Sequence, residues 1–318
     1  GYRDDTALED IILDIARDNY SANIAWFPGI GRYTTTLYNP MPLESEGNAY
    51  NAQADVSDTQ EFFFGLLFDA LHEFPGSGLQ CLAAKVRYGA RDESYYRDLD
   101  TGKVVDHPIG HSDQMQYFQC KDPDSCVWDK LPIALQEVAI PLEQLPNWIM
   151  DVRQILAAHP TTCFPLNGIY FRFGKASPSY LGMSAGRDTA YLGIEYTLRQ
   201  EGKAVPKNYF VNLEIEQMSI RKYGARPHWG KNSVAIFENA PAKFDRWDDF
   251  MAFKNEMDPQ NIFTNPFWER ITGEISLDDY LTPECNARGE CYCQSDEHCA
   301  DGTSCQAGAW YSEARICR

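Results

Sequence analysis

Leu135-Gln136-Glu137-Val138-Ala139-Ile140 reads as a strand, and Pro141 to His159 follows it as a helix. Leu145, Trp148, Ile149, Val152 and Leu156 recur at helical spacing and predict one inward stripe. Leu166 to Phe173 and Thr189 to Leu198 are two further strands, joined through Gly174 to Asp188, and Tyr209 to Tyr223 returns to a helix. The order β-α-β-β-α predicts an α+β fold, with helices covering one face of a largely antiparallel sheet.

Upstream, Asp5 to Asn19 carries Leu8, Ile11, Ile12 and Ile15 on one helical face, with Asp4-Asp5-Thr6 as N-cap candidates. Asn23 to Pro28, the Gly29-Ile30-Gly31 turn and Tyr33 to Tyr38 form a hairpin pattern. Helix and hairpin resemble part of a second such unit, whose opening strand is expected to be lost with a segment cut away near residue 1. Met41 to Asp58 reads as loop. Thr59 to Glu73 reads as a buried helix on Phe62, Phe63, Leu66, Leu67 and Ala70, and Gly78 to Tyr88 as another. Arg91 to Lys130 is irregular. Lys243 to Met257 predicts an amphipathic helix along Phe244, Trp247, Phe250 and Met251, stopped by Asp258-Pro259.

The 318 residues, 44% of them hydrophobic, suffice for a large core. A net charge of −18 disfavours nucleic acid and acidic membrane surfaces as partners. Apolar runs such as Phe62 to Phe68 fall well short of the roughly 20 residues of a membrane-spanning helix. Six of ten cysteines crowd the end, at Cys285, Cys291, Cys293, Cys299, Cys305 and Cys317, without the paired C-x2-C units of a zinc site. A disulfide framework made in an oxidising, secretory compartment is the favoured reading. Cys120 and Cys126 flank a short turn-rich loop that a local bridge would close. Cys81 and Cys163 read either as a long-range pair or as two buried thiols. Asn19-Tyr20-Ser21 is a glycosylation sequon. Tyr292, Trp310 and Tyr311 also raise the reading of the tail as a carbohydrate-binding knob.

Chemistry concentrates at Arg226-Pro227-His228-Trp229-Gly230-Lys231-Asn232, a turn expected to leave the helix ending at Tyr223. With Glu214-Ile215-Glu216-Gln217 and Lys222-Tyr223-Gly224-Ala225 before it, this stretch resembles the aldonolactone oxidases, flavoproteins of the vanillyl-alcohol-oxidase type, and within them the plant L-gulonolactone oxidase-like branch. Asn23 to Pro28, Glu137 to Pro141, Tyr170 to Phe173 with Lys175-Ala176-Ser177, and Met257 to Phe263 match in the same order. The resemblance implies that residues 1–223 are a substrate (cap) domain, 224–278 a return segment facing the flavin, and 279–318 a cysteine-rich tail.

It further implies that Lys231, His228 and Asn232 face the cofactor, while Tyr170, Arg172 and Trp229 contact the substrate. Lys231, His228 and Arg172 are the catalytic candidates: Lys231 to stabilise reduced flavin, His228 as base or as turn anchor, Arg172 on substrate hydroxyls. Tyr170 departs from the family's Glu-x-Arg pattern, placing a phenol where a carboxylate is expected. The implied cofactor is FAD, yet Gly29-Ile30-Gly31 and Gly76-Ser77-Gly78 lack the helix context of a phosphate cradle. An FAD-binding chain from the N-terminal part of the same precursor is therefore the expected partner, with a small polyol or sugar as substrate. The other reading is a carbohydrate-binding or storage protein on the same scaffold.

Overall fold

The computed structural model of the chain describes residues 2–51, 78–90, 96–105, 107–112, 115, 133–160, 162–197 and 205–318. In chain order the elements are β1 (Tyr2–Asp4), α1 (Leu8–Asp18), β2 (Ser21–Phe27), β3 (Arg32–Tyr38), β4 (Ala49–Asn51), α2 (Gly78–Ala90), β5 (Tyr96–Asp98), β6 (Ile133–Pro141) and α3 (Leu145–Ala157). They continue with β7 (Ile169–Gly174), β8 (Thr189–Thr197), α4 (Phe210–Lys222), β9 (Arg226–Pro227), α5 (Trp247–Met257), α6 (Pro266–Thr272), β10 (Cys305–Ala307) and β11 (Arg315–Cys317). The predicted helix at Thr59 to Glu73, and Cys120 with Cys126, lie outside the described residues.

Seven strands form one antiparallel sheet in the order β1-β3-β2-β7-β8-β6-β9. Two β-α-β-β units build it, β1-α1-β2-β3 and β6-α3-β7-β8. In each the first strand pairs with the third, and β2 meets β7 where the units join. The opening strand expected to be missing is present as β1, whose three residues carry too little pattern to be read alone. The N-cap expectation also changes. Ala7 holds that position without a side-chain cap, while Asp5 leaves the helix to accept from the Trp26 indole at 2.7 Å.

Alternation along the strands separates the two faces. Ile24, Trp26, Val138, Ile140, Ile169, Phe171, Leu192 and Ile194 point to the helix side and join the core with Trp148, Ile149 and Val152 of α3. Trp26, Trp148 and Phe171 pack with ring centroids 5.9–6.4 Å apart. Burying side chains of this size contributes about 1.5–3 kcal/mol each.

Helix α4 has no polar side: all ten residues from Val211 to Ile220 are buried. The cysteine-rich tail covers it, and the buried polar side chains are where the tail attaches. Glu214 accepts the backbone N–H groups of Ala309, Trp310 and Tyr311 at 2.7–3.0 Å. Gln217 both accepts from the Arg315 N–H and donates to the Arg315 carbonyl. Tyr292, buried rather than displayed as on a sugar-binding knob, donates to Glu216. Burial pushes the Glu216 carboxyl up to about 8, against the opposing effect of that hydrogen bond.

Three disulfides staple the tail, Cys285–Cys291, Cys293–Cys305 and Cys299–Cys317, and Cys81–Cys163 ties α2 to the loop before β7. The sulfurs of Cys293, Cys299 and Cys317 lie within 4.8 Å of one another, but each is in a disulfide, so none is a thiolate ligand for zinc. Among the described residues, no helix is long and apolar enough to cross a membrane. The Asn19 side-chain amide donates to the Ile15 carbonyl at the end of α1.

Candidate active site

The face of the sheet away from the helices carries a cleft of ≈160 Å³ between β6, β7, β8 and the loop after β9. Register brings its residues together. Gly193 lies between Glu137 on one side and Tyr170 on the other, and Arg172 pairs with Tyr191. Having no side chain, Gly193 leaves the floor open, and Glu195 reaches diagonally across it to Tyr170.

The loop at 226–232 is not simply a turn off α4. Arg226-Pro227 pairs with Ala139-Val138 as the edge strand β9, and the His228 N–H continues the ladder to the Glu137 carbonyl at 3.0 Å. Asn232 then completes the pairing with its side chain. Its Oδ1 accepts from the Glu137 N–H at 2.9 Å, and its Nδ2 donates to the Glu137 and His228 carbonyls at 2.9 and 2.7 Å. Asn232, expected to face the cofactor, here acts as a backbone clamp.

That clamp sets Lys231 over the cleft, where its Nζ donates to Glu137 Oε2 at 3.0 Å. Both groups are partly shielded, so the pair is screened less than an exposed one. Arg172 lines the same cleft two residues from Tyr170. Its side chain is exposed and, among the described residues, makes no ion pair or side-chain hydrogen bond. Tyr170 donates to Glu195 Oε2 at 3.3 Å.

His228 does not line the cleft. Its Nδ1 accepts from the Gly230 N–H at 3.1 Å, which anchors the turn and puts the proton of the neutral ring on Nε2. Burial lowers its pKa, Glu137 opposes that shift and Lys231 adds to it, so the ring is neutral at physiological pH. Trp229 also turns away: its indole donates to the Leu181 carbonyl at 2.8 Å and its rings stack on Phe244 at 5.7 Å, beside Phe237. Arg226 is buried on the carbonyls of Lys243, Met183 and Ala185. The sequence stretch thus splits into structural members (Arg226, His228, Trp229, Asn232) and one side chain directed at the cleft, Lys231.

Both cleft carboxylates escaped the sequence reading. Glu137 stood only as one letter of a strand match, and Glu195 was hidden within Thr189 to Leu198. The signal was present: Tyr191, Gly193 and Glu195 alternate with Leu192 and Ile194, which assigns the polar set to the open face.

Comparison with known proteins agrees with this architecture. The fold is shared with a solved structure: a solvent-stable cholesterol oxidase superposes with a TM-score of 0.54 at 16% identity, over 82% of this chain and 55% of that one. Residues 129–271 match the D-arabinono-1,4-lactone oxidase family, and residues 282–318 the C-terminal domain of L-gulonolactone oxidase 2-like proteins. L-gulonolactone oxidase 2 of Arabidopsis thaliana is 25% identical over 99% of this chain and 56% of its own length. The Arabidopsis protein named "Probable truncated L-gulonolactone oxidase 7, mitochondrial" is 30% identical over 61% of this chain and 80% of its own length. The chain belongs to the aldonolactone oxidase family, in its L-gulonolactone oxidase-like branch. It spans about half the length of the larger relatives it matches.

Proposed function

We propose that this chain forms the substrate side of an FAD-dependent oxidoreductase that oxidises a polyhydroxylated sugar, aldonolactone or alditol at a CH–OH carbon. The observation that carries this reading is the cleft itself: Lys231, Arg172, Tyr170 and two carboxylates converge on the open face of the sheet in a member of this family. A bound flavin would supply the acceptor for the carbon-bound hydrogen and its electron pair.

The residues fit one part of that cofactor. Lys231 and Arg172 offer positive charge toward the electron-rich end of a reduced ring. Among the described residues the pyrophosphate finds no cradle at Gly29-Ile30-Gly31, which leads into strand β3 rather than into a helix N-terminus, and Gly76-Ser77 lie outside the described residues. FAD is accordingly assigned mainly to a companion segment, the N-terminal part of the same precursor. Exposed Phe253, Met257, Ile262 and Phe263 are apolar surface of the kind a companion covers. The disulfides fit passage through an oxidising compartment, and we extend the reading to a secreted protein.

Within the cleft this chain's own groups bind and orient. Arg172 holds substrate hydroxyls through its fork of donors, Glu137 keeps Lys231 directed at the ring, and Gly193 leaves room for a sugar. The test is spectroscopic and kinetic. Natural material should carry an absorbance band near ~450 nm that bleaches anaerobically with an aldonolactone or alditol. Lys231→Ala should keep the fold and lose turnover. A colourless preparation that ignores added FAD and keeps its polyol affinity after Lys231→Ala would support the carbohydrate-binding alternative instead.

A further inference from the structure

Removing hydrogen from a CH–OH carbon to give a carbonyl requires the hydroxyl proton to leave as well, and a proton acceptor positioned in the cleft would speed that step. The lining residues allow few. Arg172 stays protonated in proteins, and Lys231 as an ammonium only donates. Glu137 is already engaged by the Lys231 ammonium at 3.0 Å. His228 lies outside the cleft, with Nδ1 turned back on its own loop. Tyr191 is a lone phenol beside Arg172 in the register. Tyr170 differs, because its hydroxyl faces the cleft and is directed at a carboxylate.

We propose that Tyr170 and Glu195 form a two-residue proton acceptor, with Glu195 positioned by strand β8 to take the phenol's proton as Tyr170 takes the substrate's. This inference rests on the oxidase reading above. The transfer balances: the substrate O–H bond breaks and a Tyr170 O–H bond forms. At the same time the original phenol O–H breaks and Glu195 gains that proton, so one proton moves from substrate to Glu195. The hydroxyl's electron pair stays behind to form the C=O bond.

The geometry favours a built pair over chance neighbours. Tyr170 and Glu195 stand on adjacent strands in a diagonal relation, and the residue between them on that face is Gly193. A Cβ on Gly193 would sit 3.7 Å from the Tyr170 Cβ and 3.8 Å from Glu137 Oε2, so a branched side chain there would fill the space the diagonal crosses. Arg172, two positions along β7, is placed to hold a substrate hydroxyl against the Tyr170 oxygen.

The experiment compares Glu195→Gln, Tyr170→Phe, the double variant and Glu195→Asp in the flavin-loaded protein that includes the FAD-binding segment, with D-sorbitol and L-gulono-1,4-lactone as probes. Glu195→Gln and Tyr170→Phe should each lower kcat about 10²–10³-fold with KM changed less than about threefold. Each should also remove the acidic limb of the kcat–pH profile. The double variant should be no worse than either single one, because the two act as a unit. Glu195→Asp should retain that limb at reduced rate.

A second readout needs no turnover. In protein with 13C-labelled carboxyl groups, Tyr170→Phe should shift the Glu195 titration upward by about 0.5–1 pH unit, since the charged form loses a donor. An unmoved titration, or Glu195→Gln with wild-type kcat and an intact limb, overturns the assignment while the oxidase reading stands. Wild-type protein joined to its FAD-binding segment, flavin-loaded, that oxidises neither probe sinks the oxidase reading and this assignment together.

Discussion

The two faces of one sheet use the same strands for opposite ends. On β7, Ile169 and Phe171 are fully buried against α3, while Tyr170 and Arg172, one residue out of step, line the cleft. On β8, Leu192 and Ile194 face the helices, while Tyr191, Gly193 and Glu195 face the cleft. One face is a closed apolar contact that determines whether the chain folds. The other is a set of charges held in place by that contact. Stability and chemistry should therefore respond to different substitutions one residue apart.

The largest effect should come from the covered face. Trp148→Ala removes a buried indole and its bond to Ser219, and should cost about 3–5 kcal/mol of unfolding free energy by denaturant titration. Activity per folded molecule should stay near normal. Arg172→Ala on the open face should do the reverse, lowering kcat/KM about a hundredfold while shifting the melting temperature by no more than about 2 °C. A large loss of stability in Arg172→Ala would break the division.

Next in size is the seam between α4 and the tail. Glu214→Ala leaves three backbone N–H groups without their acceptor and should cost about 2–3 kcal/mol. Hydrogen exchange should speed at residues 309–311 before it changes in the sheet. Gly193→Val should leave the backbone at ease, since β8 is extended there, but should raise KM about tenfold or more by filling the cleft. A further effect depends on pH. The folded-state pKa of Glu216, about 8, lies above its unfolded value, so the folded protein holds a proton that the unfolded chain releases. Stability from this group is fully present below about pH 4.5 and is lost as pH rises toward about 8. Glu216→Gln should flatten that slope in thermal melts.

Much of the scaffold was legible from residue 135 onward because Pro141 to His159 and the strands after it carry full-length periodicity. Short elements were not. Strands β1 and β9 hold three and two residues, and only their partners, Arg32–Thr34 and Val138–Ala139, make them strands. Helix α4 was read correctly as a helix, but its burial on every side was not, because Glu214, Glu216 and Gln217 resemble a solvent face until the tail's backbone groups are placed against them. At the site, Lys231 and Arg172 were read as cleft candidates, whereas Trp229 and Asn232 were drawn toward ligand roles by their proximity in sequence. Their side chains satisfy Leu181 and the Glu137 backbone instead. Glu195 could be found only by pairing two strands, since its neighbour Tyr170 lies 25 positions earlier.

The Cys81–Cys163 bond joins points 82 residues apart along the chain. Any single peptide cleavage between them would leave one covalent body of unchanged mass apart from an added water. Such a nick would pass unseen on a non-reducing gel and part the two fragments only after thiol treatment, so preparations judged intact without reductant can already be cut.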